Sequence, residues 1–563
     1  MNAPVFHVLP LRLAVIIAVF GFNGCAVTLE PLTNEQQLAS AFDDQQHMFA
    51  EQEPVTHPIS LEEATARAVK YNLQQRLGLM QRALEDNLLN VSQLSMLPQL
   101  AASAGWQGRD NVLGSSSKSV TSGEQSLEPS TSSDRTSRDG QLRLSWNVLD
   151  FGVSYFSAKA QANKALAAEE ARRKVVADII QQVREAYWQA ASAERLRPEL
   201  QHALAAARAA LAQAQVTEHE RLLAPVESLR YQKSLLEMAR QLEAVDGELA
   251  IAKARLAGLM SLPPNTAYSL AAPAADVGNA PTMAYSLPDL ETTAMVRRPE
   301  IRTETYQARN AVLETRSAML KLLPGVGLFA GTNYDSNSYL VNDNWADVGM
   351  RVSWNLFNIL AYPALKQAGE TREQVGELRR QAMRMAVLTQ VNVAWHEYQR
   401  AGQVFARSSE LEQLQRGILR QSDSAYGNQA QSRLERVRVS TETVLATRTR
   451  DRSFAELQVA YGAVYQAAGL DPLPDRIADS SLGTLSRAIA SNSQHLGRGQ
   501  GVIPAQIAAQ PAAAQFPAPL LAVARPALAV RKMAPHPVHV DLWDSLGSLR
   551  SAEVVSAEAN DAH

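Results

Sequence analysis

The chain of 563 residues contains one cysteine, Cys25, so no intramolecular disulfide can staple it. Aromatic residues make up only 6% of it, and long stretches are dominated by Ala, Gln, Arg, Glu and Leu, the composition of extended helices and coiled coils. Charge of one sign is also missing. The formal net charge of -3 leaves no broad basic field to attract nucleic acid. No apolar run reaches the about 20 residues that a membrane-spanning helix needs. If such a chain crosses a bilayer it must do so as a β-barrel, the other structure that satisfies its own backbone in lipid. Catalytic signatures are absent as well. His396-Glu397 and His219-Glu220 each lack the second His of a zinc-protease helix, and no P-loop is present. Neither an enzymatic activity nor a cofactor nor a metal is expected.

What is present begins at the N-terminus. Arg12 is followed by the apolar run 13–22 and then by Asn23-Gly24-Cys25. At about ten residues the run fits the core of a secretory signal, here residues 1–24, rather than a span. A sole Cys directly after a small residue resembles a lipoprotein processing box, which makes Cys25 the acylated first residue of the mature chain. Ala26 in place of Asp after it fits sorting to the outer membrane by the same resemblance. A plain signal peptide with an incidental Cys is the alternative.

The chain then repeats itself. Leu61 falls on Leu287, Ala68 on Ala294, Arg76 on Arg302 and Leu97-Pro98 on Leu323-Pro324, all at an offset of 226. Farther on, residues 142–147 (LRLSWN) fall on 350–355 (MRVSWN), and Val183, Leu262 and Pro264 fall on Val391, Leu470 and Pro472, at an offset of 208. The difference lies between Trp106 and Leu142, where the first copy has the longer loop. One unit has been duplicated, over 59–264 and 286–473. An extended segment (25–58) precedes the two copies, and 265–285 connects them.

Each unit reads helix, strand, loop, strand, long helix, turn, helix. Ser60 with Glu63, and Ser286 with Asp289, are capping boxes that open the first helices, which end near Leu97-Pro98 and Leu323-Pro324. Strands are expected at about 98–107, 141–149, 324–333 and 346–356. Leu142, Leu144, Trp146 and Val148 alternate with Arg143, Ser145 and Asn147, one apolar and one strongly polar face. Trp106, Trp146 and Trp354 suit an aromatic girdle, and strands of about ten residues suit a tilted barrel. A small soluble sheet packed on helices would alternate in the same way. Polar loops at 108–139 and 333–346 favour the barrel. Four strands cannot close one alone, so a membrane-spanning sheet here requires several copies.

The helices after the strands are very long. The stretch 153–221 is roughly 68 residues, or ~100 Å, with Pro198 expected to kink it. The returning helix carries Leu235, Met238, Leu242, Val245, Leu249, Ala252, Leu256 and Leu259, a 3-4 heptad seam. In the second copy Arg450 and Ser453 occupy the places of Leu242 and Val245. This polar strip lines either a water-filled lumen or a solvated outer face.

Taken together, the duplicated unit, the Leu-Pro strand entries, the Ser-Trp-Asn strands and the Leu-x-Pro unit ends resemble the TolC family of outer-membrane factors over about residues 59–473. The acylated Cys25 places the chain nearer the OprM-type branch. The resemblance implies a mainly α fold with a β-barrel part, in which three protomers build a 12-stranded outer-membrane barrel on a long periplasmic α-helical barrel. It implies a passive duct in a tripartite export system. The partners are two further copies, a periplasmic adaptor, an inner-membrane pump of RND or ABC type and outer-membrane lipids. The helix-turn-helix tips, at about 217–227 and 427–435, would close the periplasmic end. Tyr426 and Glu435 match the family's tip residues, whereas Gly427 directly follows the Tyr instead of sitting within the turn. Glu435 with Arg438 resembles the acid-Arg pair of the OprM-type aperture, and Glu227 with Arg230 holds the equivalent place in the first copy. The alternatives are a duct for secreted protein or polysaccharide, and a periplasmic coiled-coil scaffold lipoprotein with no pore. Residues 474–563, rich in Ala and Pro from 500 to 540, are expected to be a disordered extension.

Overall fold

The computed structural model describes residues 30–504 except 127, 221–223, 265, 272–279, 472, 474–478 and 480. The signal segment, Cys25 and residues 505–563 lie outside the described residues. A short helix, α1 (Asn34–Phe49), comes first. The first repeat follows as α2 (Leu61–Tyr71), α3 (Leu73–Leu94), β1 (Gln99–Gly108), β2 (Thr136–Asn147), α4 (Val148–His219) and α5 (Pro225–Leu259). The second runs α6 (Leu287–Arg297), α7 (Pro299–Leu320), β3 (Gly325–Asp335), β4 (Asn344–Ser353), a 3-10 turn (Leu356–Ala361), α8 (Tyr362–Gly427) and α9 (Arg433–Ala468). Helix α10 (Leu482–Gly497) closes the described chain.

The first helix of each repeat is two helices rather than one. Asn72 leaves the helical region at ψ 127° and its side chain accepts from the Gln74 N–H, so it ends α2 and caps α3. Arg298, one offset of 226 later, has the same backbone (ψ 126°), and Pro299, with no N–H to lose, starts α7. The capping boxes are half formed. Ser60 Oγ accepts from the Glu63 N–H at 3.2 Å, but the Glu63 carboxylate turns to Arg67 at 2.9 Å and His57 at 2.9 Å instead of reaching back to the cap.

The duplication is visible in the packing. Two buried clusters are built from equivalent positions: Ala64, Ala68, Val183, Ala186, Leu256 and Leu262 in one, and Leu290, Ala294, Val391, Ala394, Val464 and Leu470 in the other. Glu170 of α4 joins the repeats. It pairs with Arg173 at 2.9 Å and with Arg302 of α7 at 3.0 Å, while Arg173 also holds Asp471 at 2.8 Å. Burial pushes the Glu170 carboxyl above its ordinary range despite both guanidiniums.

Helices α4 and α8, of 72 and 66 residues, run ~108 and ~99 Å. Helix α4 continues through Pro198, because Leu196 and Leu200 on either side are buried with Leu242 and Val245 of α5 and Val444 of α9. Leu235, Met238, Leu242, Val245, Ala252 and Leu256 are all buried, as the heptad seam requires. Its polar counterpart is neither lumen lining nor solvated face. Ser453 is buried, and the buried Asp451 carboxylate beside it takes Arg450 at 2.6 Å and Arg195 of α4. A buried carboxylate is tolerated there because two guanidiniums face it.

The tail expected to be disordered contains α10. Ser481 caps it, and Leu482, Leu485 and Ile489 bury against Ala66 of α2. The Tyr285 hydroxyl reaches the carbonyls of Leu496 (2.7 Å) and Gln500 (2.9 Å). At the end of α9, Gly469 adopts φ +69°, and a Cβ there would stand 3.0 Å from the Arg297 carbonyl carbon and the Arg298 nitrogen. Gly469→Ala is therefore expected to cost about 1–3 kcal/mol. Thermal unfolding followed by circular dichroism reads this as a lower midpoint, and an unchanged midpoint would mean that the turn relaxes freely.

Candidate channel wall and helix-hairpin tips

The four strands form one antiparallel sheet in the order β1-β2-β3-β4. The register places Leu100 opposite Leu144, Trp146 opposite Leu328, Leu328 opposite Met350 and Ala330 opposite Val348. One face is thus apolar across all four strands, and it is bare: Val348 is 85% exposed, Met350 67% and Leu100 66%. The polar face is the better covered one along β2 and β3, where Gln141, Arg143, Ser145, Asn147, Phe329 and Asn333 are half-buried. A soluble sheet on helices would have these faces the other way round.

On the polar face a ladder crosses three strands. Gln141 Nε2 donates to Asn333 Oδ1 (2.8 Å) and Asn333 Nδ2 to Asp347 Oδ1 (2.7 Å). The Asp347 carboxylate meets the Arg143 guanidinium at 3.4 Å, and that group lies 4.8 Å from the centroid of the Phe329 ring. Ten strand residues rise about 33 Å, and a tilt near 45° brings this to about 23 Å, the height of an outer-membrane barrel's apolar band. The tryptophans mark both rims of this band. Trp106 is 71% exposed at the loop end. Trp146 sits at the helix end, edge-on to Phe151 at 5.8 Å. Trp354 lies just beyond β4 rather than within it, because the strand stops at Ser353, and its indole N–H donates to the Leu322 carbonyl at 2.9 Å. The following turn exposes Leu356, Phe357, Ile359 and Leu360 at that same rim.

Among the described residues, both lateral edges are open. Beside the sheet the helices pack in the order α3-α4-α7-α8, and farther away in the order α5-α4-α9-α8. Helix α3 presents Leu77, Met80, Leu84, Leu88, Val91 and Leu94 to solvent, a helical stripe on the same edge as β1. Helix α8 presents Val375, Leu378 and Met385 on the edge of β4, and Leu411, Leu414 and Ile418 nearer its tip.

The second hairpin tip, between Gly427 and Arg433, brings together more charge than the sequence pair alone. Glu435 lies in the first turn of α9, its N–H donating to the Ser432 cap at 3.2 Å. Arg438 is held at 3.0 Å by Glu442 and only at 3.9 Å by Glu435. Tyr426 and Glu435 are not joined directly. Tyr426 stacks with Arg436 (4.8 Å to the ring centroid), and Arg436 pairs with Asp423 at 2.8 Å. Arg436, Asp423 and Glu442 are thus tip residues missed in the sequence. The i,i+4 spacing of Arg438 and Glu442 was the available signal for one of them. At the first tip Glu227 and Arg230 are both exposed, and no ion pair joins them among the described residues. Arg433 donates to Gln213 of α4 and so links the second hairpin to the first.

This arrangement of sheet and helices recurs in solved structures. The CmeC outer membrane channel of Campylobacter jejuni matches at 13% identity, over 80% of this chain and 94% of that one, with a TM-score of 0.56. The outer membrane protein VceC of Vibrio cholerae matches at 14% identity, over 73% and 97%, with a TM-score of 0.55. The MtrE outer membrane channel of Neisseria gonorrhoeae, solved in its open state, matches at 17% identity, over 73% and 89%, with a TM-score of 0.53. No protein-family model matches the chain, and no curated protein does. These likenesses establish architecture: the chain has the fold of these outer membrane channels, a four-stranded sheet on a set of very long helices.

Proposed function

We propose that this chain is one subunit of a passive trimeric duct in the outer membrane, which carries substrates from an inner-membrane pump and a periplasmic adaptor to the outside, with small molecules or drugs as cargo. The observation that carries the reading is the bare apolar face of the sheet, about as tall as a bilayer core and rimmed by Trp106 at one end and Trp146 and Trp354 at the other. Lipid is the solvent that such a face suits. A pore-free scaffold lipoprotein would leave that face, and both sheet edges, in water.

Closure follows from the edges. Strand β4 of one copy pairs with β1 of the next, and three copies give twelve strands. The same head-to-tail step sets the α8 stripe of one copy against the α3 stripe of the next, a heterologous contact that closes when the rotation is threefold. The polar ladder then lines the barrel. At the far end the tips gather around the axis. Rings of Glu435 and Arg438, with Glu442, Arg436, Asp423 and Tyr426 behind them, narrow the pore until an adaptor supplies better contacts. Glu227 and Arg230 stand on the neighbouring tip as secondary candidates. Acylation of Cys25 adds a lipid anchor, and together with the Glu435–Arg438 pair it favours the OprM-type, small-molecule branch, fed by an RND pump rather than by an ABC pump.

Crosslinking in native membranes, through cysteines placed beside Glu227 and Glu435, tests the partners. An adaptor recovered with a proton-driven pump supports efflux. An adaptor recovered with an ABC ATPase moves the cargo to protein or polysaccharide, and recovery of neither overturns the tripartite reading. Leu84→Glu with Leu88→Glu, both exposed in the single chain, should convert trimer to monomer on native mass spectrometry without loss of helicity. A trimer that survives would remove the α3 edge from the interface. Glu435→Ala with Arg438→Ala should raise the conductance of reconstituted channels by roughly two-fold or more, as expected when a charged constriction is relieved. An unchanged conductance would place the constriction elsewhere.

A further inference from the structure

The polar face of the sheet is rich in glycine, and two side chains, Phe329 and Asp347, lie down upon it. Gly325, Gly327 and Gly331 of β3 and Gly349 of β4 all point to this face. Phe329 pairs with Gly349 across the strands and its ring covers that residue, so that a Cβ on Gly349 would stand 2.8 Å from Phe329 Cε1 and 3.1 Å from Cε2. Asp347 reclines over Gly331 in the same manner, with its Oδ1 3.1 Å from the position of an added Cβ. The ladder keeps the ring down: Gln141 fixes Asn333, Asn333 fixes Asp347, Asp347 pairs with Arg143, and Arg143 lies against the ring.

Resting on the duct reading above, we infer that Phe329 and the glycine beneath it set the bore of the barrel, so that the barrel wall, and not the tips alone, limits the size of cargo. A Phe side chain standing upright from each of three copies, at one level of the lumen, would narrow it. Laid over Gly349, each ring adds little to the thickness of the wall. The glycine is required because any Cβ at position 349 takes the space of the ring and turns it inward. The selection is by cross-section, which suits a duct for compact molecules of mixed chemistry: the face offers a guanidinium, a carboxylate, amides and an aromatic ring without committing to one charge.

The test uses the full chain in intact cells. Ser353 lies on the same face, toward the helix end from Phe329, and Ser353→Cys makes it a reporter inside the barrel. Maleimide-terminated polyethylene glycols of increasing mass are added from outside, with the parent chain as the blank for Cys25. In the Ser353→Cys background, Gly349→Ala should slow labelling by the largest reagent that normally enters roughly ten-fold or more. Labelling by the smallest should stay unchanged, and Phe329→Ala added to Gly349→Ala should restore the cut-off. Gly140→Ala on the opposite, lipid-facing side, where the nearest atom to a new Cβ is Tyr334 Cβ at 3.9 Å, should leave the cut-off alone. Trimers on gels check assembly in every variant. An unchanged cut-off in Gly349→Ala, a failure of Phe329→Ala to restore it, or an equal loss in Gly140→Ala overturns the inference. If even the smallest reagent never reaches Ser353→Cys, the duct reading itself falls.

Discussion

Inside hydrocarbon no water satisfies a backbone N–H or C=O, and each one left alone costs several kcal/mol. The outer edges of β1 and β4 carry such groups along ten residues apiece, and no strand among the described residues covers them. Much of the rest of the molecule is arranged around this one deficit. In the proposed duct the strands cannot be shortened, because a bilayer fixes their height. They cannot be capped by a helix, because the apolar face and the edges must both meet something that is not water. In the proposed trimer, repetition of the chain around an axis removes both edges at once, and the helices that continue from those strands are then carried into the same ring. The stripe on α3 follows β1 and the stripe on α8 follows β4 for this reason: helix edges inherit the topology of the sheet.

The helical part solves a different problem with the same repeat. Helices of ~100 Å have too little core per turn to be held by one partner. Each turn of α4 therefore finds one partner or another: α3 and α7 beside the sheet, α5 and α9 toward the tips. Ala is frequent on its buried side (Ala203, Ala207, Ala210 and Ala214) and lets the neighbours approach closely. Where the seam turns polar, the buried Asp451 between Arg195 and Arg450 contributes little net stability but fixes register, since sliding either helix by one turn would strand a carboxylate in a dry interface. Apolar residues seal such a seam in any register, whereas charge permits one.

Much of this could be read from the sequence, because duplication and period are properties of spacing. The offsets of 226 and 208 reappear as equivalent core residues, and the period-two runs became the four strands. The features that could not be read depend on what a residue meets far along the chain. Strand β2 begins at Thr136, earlier than its alternation, because β1 supplies partners from Thr136 and β3 from Asp139 for residues with no apolar pattern. Asn72 breaks a helix whose apolar spacing runs straight past it. Glu63 has the sequence of a capping box but prefers Arg67 and His57. Helix α10 was hidden by the Ala- and Pro-rich stretch after it, although Leu482, Leu485, Ile489 and Leu496 fall at helical spacing. At the tip, Tyr426 and Glu435 were legible one by one, whereas the stacking of Tyr426 on Arg436 needed the turn between them.

Four glycines of β3 and β4 lie on the polar face of the sheet. On a soluble strand glycine weakens pairing and packs against nothing. Here, on the polar face, it leaves recesses in the sheet, and Phe329 and Asp347 lie down into two of them. Phe329 is an apolar residue on a polar face, an exception to the alternation that otherwise defines β3. It is accommodated because a glycine opposes it, an arginine stacks on it and an aspartate holds that arginine. The sheet therefore needs two opposite surface rules from one backbone. In the proposed duct, the projecting Leu, Val, Met and Trp of the apolar face meet acyl chains. On the polar face, Gly331 and Gly349 keep the wall low where Asp347 and Phe329 recline over them. A wall built in this way depends on its glycines as strictly as a core depends on its leucines.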